Sequence, residues 1–120
     1  MISATDVLRQ SDVTRTLDDK SLELLASEAK MVTLAAGEAL FYEGDPGDFV
    51  YVVADGSIRI LGRRPDGEEV VLAALESGDI LGEHFIFQPP GQGRRDATAI
   101  AGEDSRLLAF DPRFCLGILA

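Results

Sequence analysis

Turn-forming residues recur at short intervals from Met31 onwards, and their spacing constrains the fold of this chain more than any other feature. Glycine stands beside Asp or Pro at 44–47, 55–56 and 65–67, and these residue types are the ones that tight turns require. The segments between the turns alternate apolar and polar residues or are apolar throughout, as at 49–53. Short segments separated in this way are typical of an antiparallel β-sandwich or roll. The pattern predicts a mainly β fold with 49–53 as a central strand.

Further strands are predicted between the other turns, where the residues either alternate or are mostly apolar, and the turn at 65–67 is predicted to join two of them as a hairpin. These strands are 40–42, 57–61, 69–75, 96–101 and 106–110. After the last of them, Asp111 is suited to the N-cap of a helix and Pro112 to its first helical position. A C-terminal helix is therefore predicted to begin there.

Residues 1–30 have helical periodicity instead. Asp18 or Asp19 can cap a helix. The apolar residues that would share one face of this helix and pack on the sheet are Leu22, Leu25, Ala26 and Ala29. Val7 and Leu8 are assigned to a shorter helix before it. We predict one domain, consisting of a helical cap at 1–30 and a β-roll with the start of a C-terminal helix at 31–120.

Composition limits the function classes. The chain has 120 residues, 46% of them hydrophobic and 27% charged, which is typical of one globular domain. The net charge of −10 repels nucleic acid, so no direct nucleic-acid contact is expected. The single Cys115 rules out an intrachain disulfide and reads as a small buried side chain. No apolar run approaches the roughly 18 residues of a membrane span, and no signal peptide is evident, so a cytoplasmic setting is expected.

Catalytic chemistry is not predicted. His84 is the only histidine. A metal site of the cupin type generally uses several histidines with a carboxylate, so no metal is expected. A serine or cysteine nucleophile needs a histidine placed as its base, and His84 has no identifiable partner. The chain is therefore predicted not to be an enzyme.

The stretch 78–101 combines groups that suit a phosphorylated sugar. Gly82 lets the backbone pass close to a ligand, and the apolar residues after Glu83 can start a helical turn whose free amides favour an anion. After a Pro/Gly-rich loop, Arg94 and Arg95 offer planar groups for phosphate. A carboxylate beside them can accept hydrogen bonds from sugar hydroxyls. The stretch predicts a small binding pocket.

The same stretch resembles the phosphate-binding cassette of cyclic nucleotide-binding domains through the spacing of Gly82-Glu83, Arg95 and Ala97. The resemblance extends from about Leu34 to the C-terminus, through LAAGEALFYEGDPGDFVYVVADGSIRIL and VLAALESGDILGE. The family includes sensor domains of bacterial cyclic-AMP receptor regulators, kinase regulatory subunits and gated channels. The resemblance implies an antiparallel double-stranded β-helix, a jelly-roll-like β-roll of eight strands, with flanking N- and C-terminal helices.

The resemblance also implies roles for individual residues. Arg95 would hold the exocyclic oxygens of the cyclic phosphate, which it would share with backbone amides. Those amides belong to Glu83, His84, Phe85 and Ala97. Glu83 would also accept from the ribose 2′-hydroxyl, with Gly82 permitting close approach. Leu72, Leu75 and Leu81 are candidates either for the wall beside the base or for core packing.

Two alternatives concern the arginines. Arg94 competes for the phosphate role, but counting back two residues from Ala97 selects Arg95 and leaves Arg94 facing outward. The other alternative makes Arg95 a surface arginine paired with Asp96 or Glu103.

Three departures from the family pattern keep a second function open. Asp96 stands where Ser or Thr is usual, and it could accept from a guanine amino group. His84 and Phe85 replace smaller or aliphatic residues, and the loop 88–93 is slightly long. The first function is a module that binds cAMP or cGMP without a further cofactor and relays binding by helix movement to a homodimer partner or a C-terminal output domain, as in a transcription regulator. The second is an interaction or scaffold module that has lost the nucleotide.

Overall fold

The computed structural model describes residues 4–10, 17–47, 49–82 and 94–111. Two helices precede eight strands in this part of the chain. The helices are α1 (Ala4–Gln10) and α2 (Asp19–Glu28). The strands are β1 (Lys30–Leu34), β2 (Ala39–Phe41), β3 (Val50–Asp55), β4 (Ile58–Arg63), β5 (Glu69–Leu75), β6 (Ile80–Leu81), β7 (Thr98–Ala101) and β8 (Ser105–Phe110). The predicted C-terminal helix from Pro112, and Cys115 within it, lie outside the described residues.

The strands form two four-stranded antiparallel sheets. One, here the helix-side sheet, has the order β1-β8-β3-β6, and the other, here the outer sheet, has the order β2-β7-β4-β5. The chain crosses from one sheet to the other at most of its turns, while β4 and β5 pair directly as a hairpin. This arrangement confirms the predicted mainly β, eight-stranded roll, with β3 between β8 and β6 as the predicted central strand.

The hairpin between β4 and β5 forms where Pro65-Asp66-Gly67 predicted it. Arg64 N donates to Glu68 O at 2.8 Å, and Gly67 N donates to Arg64 O at 2.8 Å. Asp66 accepts from Glu68 N at 2.9 Å, so its side chain closes the turn.

The helical cap packs as its periodicity indicates. Asp18 is the N-cap of α2, and its carboxylate accepts from Ser21 N at 2.8 Å. This hydrogen bond lowers the pKa of Asp18. Leu22 and Leu25 are buried, and so are Val7 and Leu8 of α1. The predicted helix face and the shorter first helix are therefore confirmed.

Two apolar clusters lie on opposite faces of the helix-side sheet. The helix cluster joins α1 and α2 to Val50, Val52 and Ala54 of β3 and to two residues of β8. The inter-sheet cluster includes Val53 of β3, with Tyr51 packed against it. Side chains alternate along a strand, so consecutive β3 residues face the helices and the interior of the roll in turn. β3 thus contributes side chains to both clusters and links the helices to the interior of the roll.

None of the helices in the described ranges is long and apolar enough to cross a membrane.

Candidate functional site

Arg95 lies buried three residues before the start of β7, with 6% of its surface exposed. Its guanidinium carbon, Cζ, is 4.3 Å from the centre of the Phe41 ring and 5.5 Å from that of Tyr51. Its Nη2 donates to the backbone oxygen of Phe49 at 3.1 Å. Arginine is almost never fully buried without compensating contacts. The prediction that Arg95 is an exposed arginine paired at the surface is therefore wrong, and the prediction of an inward-facing Arg95 fits its burial.

The turn after β2 fixes the backbone of Arg95. Asp45 N donates to Tyr42 O at 3.0 Å, and the Asp45 carboxylate accepts from Tyr42 N at 3.0 Å. This closed turn then pairs with the chain before β7: Arg95 N donates to Asp45 O at 3.0 Å, and Gly44 N donates to Arg95 O at 2.7 Å. The turn predicted at 44–47 is thus the element that holds Arg95 in place.

Neighbouring Arg94 has the opposite environment. It forms an isolated bridge with Pro46 and is exposed. Two adjacent residues of an extended chain point to opposite sides, so only one of the two arginines can face the interior. The structure places Arg95 there and Arg94 outside, as the spacing to Ala97 predicted.

Burial also acts on Tyr51. Removing its hydroxyl from water raises the pKa of Tyr51, while the charge of Arg95 opposes this rise. The neutral phenol is therefore the stable form beside the guanidinium.

Leu81 and Gly82 precede the Pro/Gly-rich loop, and Arg95 follows it. Both ends of this stretch meet at Tyr51. Leu81 of β6 is paired with Tyr51 in the helix-side sheet, and it is 8% exposed in the inter-sheet cluster. Gly82 follows with a φ of 78°, a left-handed conformation that favours glycine. Because Tyr51 pairs with Leu81 and contacts Arg95, β3 holds both ends of the cassette. Glu83, His84 and Phe85 themselves lie outside the described residues.

The remaining predicted residues are spread over three environments. Ala97 is buried with 7% exposed, and Leu75 packs partly buried against the inter-sheet cluster. Asp96 is exposed. Leu72 is 62% exposed on β5, at the edge of the outer sheet, so the prediction that it packs in the core is wrong. β5 has a neighbouring strand on one side only, and most of its side chains are exposed to solvent.

The residues that surround Arg95 were not predicted from the sequence. Phe41 and Tyr51 come from different sheets, and the Phe49 contact uses a backbone oxygen that any residue would supply. Phe41 and Tyr51 stand among other apolar residues of their strands, and this pattern predicts only that they pack in the core. Phe49 and Arg95 are 46 residues apart in the sequence. No pattern within a few residues of Phe41, Phe49 or Tyr51 could therefore indicate the contact with Arg95.

No group of three or more His, Cys, Asp or Glu side chains that could hold a metal ion is found within the described ranges.

The fold agrees with the family that the sequence matches. Residues 31–120 match the cyclic nucleotide-binding domain. This match covers most of the chain, so the protein belongs to the cyclic nucleotide-binding domain family.

Individual relatives are of several kinds. The CRP-like cAMP-activated global transcriptional regulator of Mycobacterium tuberculosis is 28% identical over 88% of this chain and 46% of its own length. The N-terminal domain of a transcriptional regulator from Streptomyces coelicolor A3(2) is 38% identical, with a TM-score of 0.83 over 95% of this chain and 78% of that one. The regulatory domain of Toxoplasma gondii PKA with cAMP is 27% identical, with a TM-score of 0.83 over 96% and 42%. The chain thus spans less than half the length of the regulator from M. tuberculosis.

Proposed function

We propose that this chain is a sensor module that binds a cyclic nucleotide, cAMP or cGMP, with Arg95 as the ligand of the cyclic phosphate. The observation that carries the proposal is the burial of Arg95, at 6% exposed, at the position where the cassette pattern requires an arginine. A buried guanidinium beside an anion gains more than a solvated one, because less water screens the pair. The cAMP in the T. gondii regulatory domain supports the same ligand class.

The other cassette residues complete the proposed site. Glu83 accepts from the ribose 2′-hydroxyl, and Gly82 allows the sugar to approach the backbone. The amides of Glu83, His84, Phe85 and Ala97 share the phosphate oxygens with Arg95. The base rests on an apolar wall formed by Leu72, Leu75 and Leu81. The exposure of Leu72, 62%, leaves an apolar surface there that a base can cover.

The route from the site to the helices runs through β3. Arg95 donates to Phe49 O, and the next residue, Val50, is buried in the helix cluster with Leu22 and Leu25. A phosphate that pairs with the guanidinium where it is held weakens the hydrogen bond from Arg95 to Phe49 O, and packed clusters transmit the shift of β3 that follows. We propose that helix displacement follows and passes to an output domain or a second subunit, as in the sensor part of a transcription regulator.

Thermal unfolding of the wild type with cAMP, cGMP or 5′-AMP tests the binding. A cyclic nucleotide at about a hundred times its dissociation constant should add about 2.7 kcal/mol of stability, a shift of several degrees. 5′-AMP, which has the base and ribose of cAMP without the cyclic phosphate, should give a much smaller shift.

Two lysine variants locate the phosphate contact. Arg95→Lys keeps the charge but loses the planar fork, so the affinity should fall by about tenfold or more. Arg94→Lys makes the same change on the exposed neighbour and should leave the affinity within about twofold. Equal loss in both variants, or no wild-type shift with either cyclic nucleotide, would contradict the proposed site.

One observation favours the second function, an interaction module. The edge strand β5 exposes Val71 and Leu72 by 59% and 62%. Exposed apolar residues on an edge strand can serve a protein partner as well as a base. If no cyclic nucleotide shifts the unfolding, Leu72→Ser should weaken capture of a partner, whereas in a nucleotide sensor it should weaken binding of the nucleotide.

A further inference from the structure

We propose that Phe41 and Tyr51 are positioning residues that hold the guanidinium of Arg95 in one orientation, ready for an anionic ligand. They act on the ligand only through Arg95. The identity of that ligand rests on the proposed function, whereas the positioning itself does not.

The two rings form a corner rather than a sandwich. Their centres are 6.3 Å apart and their planes are inclined by 36°. The guanidinium carbon is 4.3 Å from one centre and 5.5 Å from the other, so both distances are shorter than the separation of the rings. A cation within about 6 Å of a ring centre is attracted by the negative face of the ring. The cation therefore has two attractive walls that meet at an angle.

One hydrogen bond to the backbone restrains the guanidinium further, and the backbone of one glycine lies near it. The hydrogen bond from Nη2 to Phe49 O, at 3.1 Å, limits rotation of the group within its own plane. The backbone of Gly47 lies alongside, because a Cβ placed on it would be 3.6 Å from both Nε and Nη2 of Arg95. Rings and backbone together restrain both the tilt and the rotation of the guanidinium.

The corner depends on the packing of the whole roll. Phe41 ends β2 in the outer sheet, and Tyr51 lies in β3 of the helix-side sheet. Both rings pack against the inter-sheet cluster. The position of the guanidinium is thus set by how the two sheets pack on each other.

This arrangement lowers the entropic cost of binding. An arginine has many rotamers, and fixing them at the moment of binding reduces affinity. A planar group already held on aromatic faces loses less freedom when it meets the ligand. Burial raises the pKa of Tyr51 above its ordinary value, so the ring beside Arg95 stays a neutral phenol further into the alkaline range.

Paired ring variants test the inference. Phe41→Leu and Tyr51→Leu remove a ring but keep an apolar side chain, whereas Phe41→Tyr and Tyr51→Phe keep the ring. Isothermal titration with cAMP and cGMP should show affinity reduced by about tenfold in the leucine variants and retained within about twofold in the aromatic ones. In an Arg95→Lys background, Phe41→Leu should cause no more than about a further twofold loss, because the rings act through the arginine.

A second measurement needs no ligand. The Nε–Hε resonance of Arg95 in ¹⁵N-labelled protein, identified by its absence in Arg95→Lys, should carry a ring-current shift. Phe41→Leu should move this resonance towards the values of exposed arginines, and Phe41→Tyr should leave it in place. The full chain is used throughout, and unfolding curves of each variant show that it remains folded.

The outcomes separate the two proposals. Wild-type binding with unchanged affinity in both leucine variants overturns the positioning inference and leaves the proposed function standing. An absence of wild-type binding contradicts the proposed function, and the resonance then decides alone. A shift lost in Phe41→Leu supports positioning, and a shift that is absent or unchanged overturns it.

Discussion

The turn at Gly56 packs directly on Ser105 at one end of the roll. A Cβ on Gly56 would lie 2.2 Å from Ser105 Oγ and 2.7 Å from Ser105 Cα. The same hydroxyl accepts from Ser57 N at 3.1 Å and donates to Glu103 O at 2.7 Å, and Ser105 is 2% exposed. The turn between β3 and β4 and the turn before β8 are therefore one packed unit, and glycine is needed for space as well as for conformation.

Replacing Gly56 by alanine should destabilise the domain strongly. The residue has a φ of 90°, where a side chain costs about 1–2 kcal/mol, and the clash with Ser105 should add about 1–3 kcal/mol. Gly67→Ala is the matched control, because Gly67 has a φ of 88° and nothing within 4 Å of its Cβ position. Urea unfolding of both variants isolates the clash. Equal losses of stability would show that the two turns are not packed as described.

The helical cap should be held by the buried face of α2. Leu25 is 2% exposed, and truncating a buried leucine costs about 2–5 kcal/mol, so Leu25→Ala should lower the free energy of unfolding by that amount. Leu24 on the same helix is 46% exposed, and Leu24→Ala should change it by no more than about 0.5 kcal/mol. Chemical denaturation measures both. A small loss in Leu25→Ala would mean that α2 is docked only loosely on the sheet.

An ion pair between the end of β3 and β8 predicts that the stability of the fold falls at acidic pH. Arg106 Nε donates to Asp55 Oδ2 at 3.0 Å, and this hydrogen bond, followed by the attraction of the two charges, lowers the pKa of Asp55. The carboxylate thus stabilises the fold fully above its ordinary pKa of 3.8, and this stability is lost as the pH falls through the lowered value. The side chains are 34% and 46% exposed, so solvent screening limits the effect.

Asp55→Asn should therefore cost about 0.5–1 kcal/mol at pH 7 and less below pH 4. Glu68→Gln is the control, because the Arg64–Glu68 pair is 3.7 Å apart and more exposed, at 60% and 64%. Its cost should be close to zero at both pH values. A difference between Asp55→Asn and wild type that grows on acidification would contradict the pairing.

The roll could be predicted from the sequence because local signals agree with the final packing. The signals are the apolar run at 49–53, the turn chemistry of Pro65-Asp66-Gly67 and the cap at Asp18, and each operates within a few residues. β6 has only two residues, Ile80 and Leu81, so no alternation could reveal it as a separate strand. Its place depends on pairing with β3.

The residues that surround Arg95 could be identified only from the three-dimensional structure. Spacing to Ala97 distinguished Arg95 from Arg94, since the alternation of an extended chain sends neighbours to opposite sides. The rings of Phe41 and Tyr51 reach Arg95 only after the two sheets have packed. Leu72 was expected to pack in the core because apolar residues of a strand are usually buried, but it lies on the edge strand β5 and is 62% exposed.

Alkaline unfolding offers a last test of the Tyr51 environment. Burial raises the pKa of Tyr51 above its ordinary value of 10.0, so the folded state keeps the phenolic proton where the unfolded state begins to lose it. The stability that this provides is complete below pH 10 and is lost as the pH rises through the higher folded value. Tyr51→Phe removes the ionisable hydroxyl and should reduce the loss of stability between neutral pH and pH 11. Tyr42→Phe is the control, because Tyr42 is 60% exposed, and it should follow the wild type. Denaturant unfolding at several pH values measures the difference, and parallel curves for wild type and Tyr51→Phe would show that the phenol beside Arg95 is not buried in solution.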